Sequence, residues 1–247
     1  MDDEKRLDRE ERIRYDRQLR IPEIGEEGQK RLKGSNAVIV GVGGLGCSSA
    51  TYLSAAGVGR IRIVDFDVVK RSDLNRQVLY GEEDIGKRKV IVAQKRLSRI
   101  NSKIEIVPLF KRIDEKNVFE IIEGADVVVD GLDNLATRLI VNSACVRRRI
   151  PFIYGGVSRL RGMVTTIIPK ETPCLACIFP NIPEEEGRMG VLGVSPALIG
   201  SIQALECIKI IIGGGSSLAG RLLRFNGNDM KFYIHEIRRN EGCKICS

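Results

Sequence analysis

Apolar residues along this chain follow two rhythms, and the change between them marks out the elements. Five short β-branched runs read as strands: NAVIVG (36–41), RIRIVDFD (60–67), IEIVPLF (104–110), ADVVVDG (125–131) and PFIYGG (151–156). Helical spacing separates them, from the first run to about Gly57 and again near 88–100, 114–122 and 134–149. Strands alternating with helices of this length predict an α/β fold with a doubly wound, mostly parallel sheet. Past residue 156 the rhythm changes. GMVTTIIP (162–169) and LLRFNGNDMKFYIHEI (222–237), with its Asn-Gly-Asn turn, predict a C-terminal antiparallel extension. Between them Ser195-Pro196 opens a long apolar helix to about Ile212, with Ser195 as N-cap and proline in the first turn. Residues 5–33 read as charged helix broken near Pro22 and Gly25. No internal repeat or low-complexity linker interrupts the pattern, so one domain over 1–247 is expected.

Composition narrows the class. The N-terminal stretch MDDEKRLDREERIRYDRQLR is charged throughout, unlike a signal peptide or anchor, and no apolar run approaches the ~18 residues of a membrane span. A cytoplasmic protein without a membrane partner is expected. The formal charge is +8, with the excess between Arg60 and Arg112, where 14 Lys and Arg face seven acids. No tract alternates basic with aromatic residues and there is no Trp. A phosphate-bearing small molecule or an acidic protein fits this surplus better than nucleic acid.

The first strand ends in GVGGLG, in which Gly41, Gly43 and Gly46 match G-x-G-x-x-G between strand and helix. Glycines there let the backbone approach a phosphate and aim helix N-terminal N–H groups at it. Asp65 ends the next strand, where an acid can hydrogen-bond ribose hydroxyls. That context alone leaves NAD and ATP open. Asp65-Phe66-Asp67 then leads to Ser72-Asp73-Leu74-Asn75-Arg76-Gln77, and Lys87-Arg88-Lys89 opens the following helix. Cations at this density suit charge building on a reacting phosphate rather than hydride transfer. Asp133-Asn134, at another strand end, suits Mg²⁺. The single histidine, His235, lies in an alternating strand and reads as a half-exposed structural residue, against Ser-His or Cys-His hydrolases.

Seven cysteines fall into two groups. Cys174-x-x-Cys177 and Cys243-x-x-Cys246 form a tetrathiolate zinc signature, a closed structural site tying the C-terminal tail to the segment after GMVTTIIP. Cys47, Cys145 and Cys207 stand alone in apolar surroundings and read as core residues.

R-Y-D-R-Q (14–18), G-V-G-G-L-G, D-F-D, D-L-N-R-Q and G-S-I-Q-A-L-E (200–206), in order over roughly 12–246, resemble the E1-like activating enzymes of the molybdopterin-synthase and thiamine-biosynthesis adenylyltransferase group. The resemblance implies a Rossmann-like adenylation domain: an N-terminal helical segment (1–33), a nucleotide-binding part (34–156) and an extension with a zinc knuckle (157–247). Its expected activity is ATP-dependent adenylation of the C-terminal carboxylate of a small β-grasp, ubiquitin-like protein ending in Gly-Gly. By the same resemblance Gly41, Gly43 and Gly44 approach the nucleotide and Asp65 takes the ribose. Asn75, Arg76, Gln77 and Lys89 contact phosphates, with Gly46 and Asp67 in the same nucleotide-binding set, and Asp133 binds Mg²⁺. Arg17 would reach a neighbouring subunit's site, implying a homodimer. One departure stands out: many relatives carry a cysteine four residues before the Gly-Val-[Leu/Met] turn, and here that position is Glu186, ahead of Gly190-Val191-Leu192. Three other readings remain from the sequence: a thioester-forming enzyme using another cysteine, a zinc-stapled NAD-binding oxidoreductase, and an inactive nucleotide-binding scaffold.

Overall fold

A computed structural model describes residues 6–180 and 190–246. Their strands are β1 (Asn36–Val40), β2 (Arg60–Asp65), β3 (Glu105–Phe110), β4 (Val127–Asp130), β5 (Phe152–Ser158), β6 (Arg161–Ile167), β7 (Arg221–Asn226) and β8 (Lys231–Glu236). They form one sheet in the order β3-β2-β1-β4-β5-β6-β7-β8. The first five are parallel to one another, and β6, β7 and β8 continue antiparallel. β5 belongs to both regions, so the expected division at 156/157 falls inside a single strand.

The helices are α1 (Arg9–Arg14), α2 (Asp16–Leu19), α3 (Gly25–Lys33), α4 (Gly44–Ala56), α5 (Lys89–Ile100), α6 (Val118–Ile121), α7 (Leu135–Arg148), α8 (Leu175–Ile178) and α9 (Val194–Ile211). Strand side chains alternate between two cores. Ala37, Ile39, Ile61, Ile63, Val127 and Val129 pack with Leu45 and Leu53 of α4, Leu97 of α5 and Ile199 of α9. Val38, Val40, Val128 and Phe152 face the other way, onto Ile121, Val141, Cys145 and Leu175. Burying both faces explains the near-continuous apolar strands.

Three local expectations need correction. The helix expected over 114–122 shrinks to Val118–Ile121, because the Asp114 carboxylate accepts the N–H groups of Lys116 (2.9 Å) and Asn117 (3.0 Å) in a competing turn. Ser195 is not the N-cap of α9. The helix starts two residues earlier with Gly193 as cap, and Ser195 Oγ instead donates to the Arg159 carbonyl at 3.2 Å. Finally, α9 is long and apolar enough, by length and composition, to cross a membrane. Its buried side is spent on the core through Ile199, Ala204 and Cys207, and it also carries the buried polar residues Gln203 and Glu206.

Buried polar side chains dock the N-terminal helices on the C-terminal end of α4. Gln18 and Gln29 both donate to the Ala56 carbonyl, at 3.1 and 2.9 Å, and Gln18 also donates to Gln29 at 2.7 Å. Asn101, fully buried after α5, donates to the Tyr15 hydroxyl (2.8 Å) and the Ser54 carbonyl (2.9 Å). Truncating it removes both bonds and leaves the Ser54 carbonyl with only the Gly57 N–H at 3.2 Å, which costs about 1–3 kcal/mol. Thermal unfolding of Asn101→Ala should therefore occur at a midpoint lower by roughly 2–4 °C for each kcal/mol lost. An unchanged midpoint would mean the N-terminal segment does not depend on this residue.

Candidate active site

Register places three strand ends side by side, with Val40 opposite both Val64 and Asp130. Here the chain leaves β1 through Gly41, which takes φ +89° and whose N–H reaches the Val64 carbonyl at 2.8 Å. A Cβ at Gly41 would sit 2.6 Å from the Gly131 carbonyl oxygen, and one at Gly46 only 2.0 Å from the Gly41 carbonyl oxygen. These glycines are demanded by backbone packed on backbone. Gly43 differs: a Cβ there meets nothing closer than 3.8 Å. It is the N-cap of α4 and brings no side chain to the first-turn N–H groups, leaving a helix N-terminus suited to an anion.

Asp65, at the end of β2, accepts the Val42 N–H at 2.9 Å and the Asp67 N–H at 2.8 Å. Burial raises its pKa, and the two backbone bonds oppose that rise. Beyond it the charged residues converge on Asp73, whose role sequence reasoning did not assign. Its nearly buried carboxylate lies 3.3 Å from Arg76 Nη2 and 3.4 Å from Lys89 Nζ, and accepts Gln77 Nε2 at 3.1 Å and the Lys70 N–H at 3.0 Å. Lys89 is only 6% exposed and also lies 3.5 Å from Asp67. Gln77 keeps a buried Oε1 without a partner, and its amide lies 3.9 Å from the position of a Gly43 Cβ. Asn75 is exposed and accepts from Arg76 Nη1 at 3.1 Å. Packing against this segment is the start of α9: a Cβ on Gly193 would lie 2.4 Å from the Asn75 carbonyl oxygen. The structure thus brings the glycine turn, Asp65, Asp67, Asn75, Arg76, Gln77 and Lys89 to one region.

Asp133 follows β4, exposed, next to Asn134, the N-cap of α7. The loop bearing it is braced from below. Fully buried Asp130 pairs with Arg138 at 2.9 Å and accepts the Leu132 N–H at 2.9 Å, while Arg138 donates to the Leu132 and Gly155 carbonyls. Arg17 is elsewhere. It is exposed on α2, beside residues that dock at Ala56, the far end of α4. A 13-residue helix is about 20 Å long, so Arg17 does not join the glycine turn of its own chain.

Cys174, Cys177, Cys243 and Cys246 do meet, with their sulfurs all within 4.8 Å of one another. The pairs Cys174–Cys243 and Cys177–Cys246 stand at 3.7 and 3.4 Å. Tetrahedral zinc with ~2.3 Å bonds needs sulfurs roughly 3.8 Å apart, so the four residues fit that ion. Cys47, Cys145 and Cys207 are fully buried; desolvation pushes the Cys47 thiol up to about 12 and the other two further in the same direction. His235 is exposed on the edge strand β8, rather than half-exposed. Glu186 lies outside the described residues.

A glycine turn opening onto a helix, an acid ending the second strand and a cation cluster beside them define a nucleotide-binding α/β protein equipped for phosphate chemistry. Comparison with known proteins narrows the class: the ThiF family model matches residues 15–245, and the chain belongs to that family of E1-like adenylyltransferases. The SAMP-activating enzyme E1 of Haloferax volcanii is 40% identical over 245 residues, 97% of this chain and 90% of that protein. Adenylyltransferase and sulfurtransferase MOCS3 of Aedes aegypti is 42% identical over 248 residues, 98% of this chain but 57% of that protein, so the chain spans little more than half of this relative. Among solved structures, E. coli MccB with AMPCPP and MccA superposes with a TM-score of 0.82 at 25% identity, over 90% of this chain and 69% of that one. Family membership sets aside the NAD-dependent oxidoreductase.

Gly43 and Gly46 separate ligand approach from folding. Gly43→Ala should melt within about 2 °C of the parent, since its methyl is accommodated, yet bind a fluorescent ATP analogue at least about tenfold more weakly. Gly46→Ala should lose stability by several kcal/mol, as severe overpacking does. Equal melting points for the two variants would contradict this division.

Proposed function

We propose that the chain binds ATP in the crevice at the ends of β1, β2 and β4 and adenylates the C-terminal carboxylate of a small ubiquitin-like carrier protein. The observation carrying this reading is the set of Arg76, Gln77 and Lys89 gathered on Asp73 beside the open face of Gly43. The names of the relatives support it: one activates SAMP, one is an adenylyltransferase, and MccB was solved with both an ATP analogue and MccA.

In this reaction one carboxylate oxygen forms a bond to the α-phosphorus as the bond to the bridging oxygen breaks. Pyrophosphate departs with the electron pair, leaving an acyl-adenylate. A C-terminal carboxylate is already ionised at pH 7, so no general base is required. That suits a site without histidine. The protein has to align two anions and hold the leaving group. In this reading Gly41, Gly43, Gly44 and Gly46 form the phosphate-approaching turn, and Asp65 holds the ribose. Asn75, Arg76, Gln77 and Lys89 meet the phosphates, with Asp67 steadying Lys89. Asp133 is the residue that would hold Mg²⁺, which when bound neutralises charge on the departing pyrophosphate. The partner would end in Gly-Gly, presenting a slim, unhindered carboxylate.

Distance from its own glycine turn supports a homodimer in which Arg17 of one subunit serves the site of the other. Exposed apolar side chains on the packed helices, Tyr52 of α4 (55%) and Leu205 of α9 (56%), suit such an interface. Buried Cys47, Cys145 and Cys207 are poor nucleophiles, and the segment before Gly190 holds Glu186 in place of a cysteine. The adenylate is therefore the product handed on, with sulfur supplied by another protein. Seven cysteines without a disulfide between described residues suit the cytoplasm.

ATP–pyrophosphate exchange tests the reaction class. It should appear only with a Gly-Gly-terminated carrier present, and Arg76→Ala or Lys89→Ala should slow it by about 10²-fold or more. Exchange at parental rate in both variants would sink the proposed phosphate contacts. Subunit sharing has its own test. Inactive Arg17→Ala and inactive Asp133→Ala proteins, once mixed, should regain exchange, because one site of a mixed dimer receives both intact residues. No recovery despite demonstrated subunit exchange would place Arg17 outside the neighbouring site.

A further inference from the structure

One polar side chain beside the thiol cluster has a buried donor without an acceptor. Asn142, on α7, is fully buried. Its Oδ1 accepts the backbone N–H of Leu175 at 2.9 Å, and Leu175 directly follows Cys174. A backbone N–H needs an acceptor, so this bond decides which end of the amide is oxygen. The opposite end, Nδ2, is equally buried and has no hydrogen-bond partner. The Cys174 thiol is close enough to feel this amide, although Nδ2 makes no hydrogen bond to the free thiol. α7 thus holds the first C-x-x-C pair through the backbone of Leu175, with a spare buried donor beside the sulfur.

We infer that Asn142 is an outer-sphere partner of the metal-binding thiolates, donating an N–H···S hydrogen bond to Cys174 and orienting it for the ion. This rests on the reading of the four cysteines as a zinc site. A thiol sulfur is a weak acceptor, whereas a metal-bound thiolate carries negative charge that an amide N–H stabilises. The bond therefore forms when metal is present, and its loss weakens metal retention. Packing alone would need only the bond from Oδ1 to Leu175, so the two roles can be separated.

The full chain loaded with NMR-active cadmium gives the direct test without any substitution. Cadmium should show through-bond correlations to the Hβ protons of all four cysteines and also to a side-chain amide proton of Asn142. Cysteine correlations without one to Asn142 would overturn the inference and leave the metal site standing. Failure of the chain to take up cadmium or zinc at these cysteines would remove the metal reading and this inference with it. Substitution gives a second readout. Asn142→Asp keeps an oxygen for Leu175 but removes the donor, and should release zinc to a chelator about 10–100-fold faster than the parent. Ser143→Ala, the neighbour on α7, should release it at the parental rate. An Asn142→Asp protein with a lowered melting point but parental zinc release would mean Asn142 acts by packing only.

Discussion

Backbone packed on backbone at Gly41, Gly46 and Gly131 is the constraint on which the rest of the site depends. Each would drive a Cβ into a carbonyl oxygen of another, at 2.6, 2.0 and 2.2 Å. With no side chain at these points, the start of α4 sinks between the ends of β1 and β4. That brings its uncapped N-terminus level with Asp65 on one side and the Asp133 loop on the other. A methyl group at the crossing would lift the helix away and dissolve the crevice. Gly43 escapes the crush and leaves open the face at which the proposed function puts a phosphate.

Around that crevice the protein solves an electrostatic problem before any ligand arrives. Arg76 and a nearly buried Lys89 would repel each other and pay desolvation without a counter-charge. Asp73 lies within 3.4 Å of both and also accepts from Gln77. The cations are thereby held in place and partly neutralised. In the proposed function a bound polyanion would meet fixed donors with little reorganisation, which is how charge developing on a phosphate is stabilised most effectively. A reaction whose nucleophile is already ionised asks for little more.

Much of this was legible in the sequence. Strand runs, the glycine turn and the paired cysteines are local patterns, and each follows from period, φ requirement or ligand spacing. The cysteine pairs are 69 residues apart in sequence yet meet in space, because metal-ligand spacing carries its own geometric meaning. What escaped depends on how the chain travels between elements. Asp73 joins Lys89 only because the loop between them doubles back, and nothing in its own neighbourhood announces a hub. Asn142 reads as an indifferent polar residue on a helix until Cys174 and Leu175 arrive beside it. Ser195 looked like a cap by residue type, but the Arg159 carbonyl claimed its hydroxyl. The 114–122 stretch had helical spacing, and the Asp114 turn prevailed locally.

Oxygen tracing tests the central claim, attack of a carboxylate on the α-phosphate, most directly. A carrier whose C-terminal carboxylate holds heavy oxygen is incubated with the enzyme and ATP, and the activated product is then discharged by a thiol. Attack at the α-phosphate leaves the carboxylate oxygen on AMP, so mass spectrometry should find heavy oxygen in AMP and none in orthophosphate. Heavy oxygen in orthophosphate, with ADP as the nucleotide product, would mean the chain phosphorylates its partner and would contradict the account.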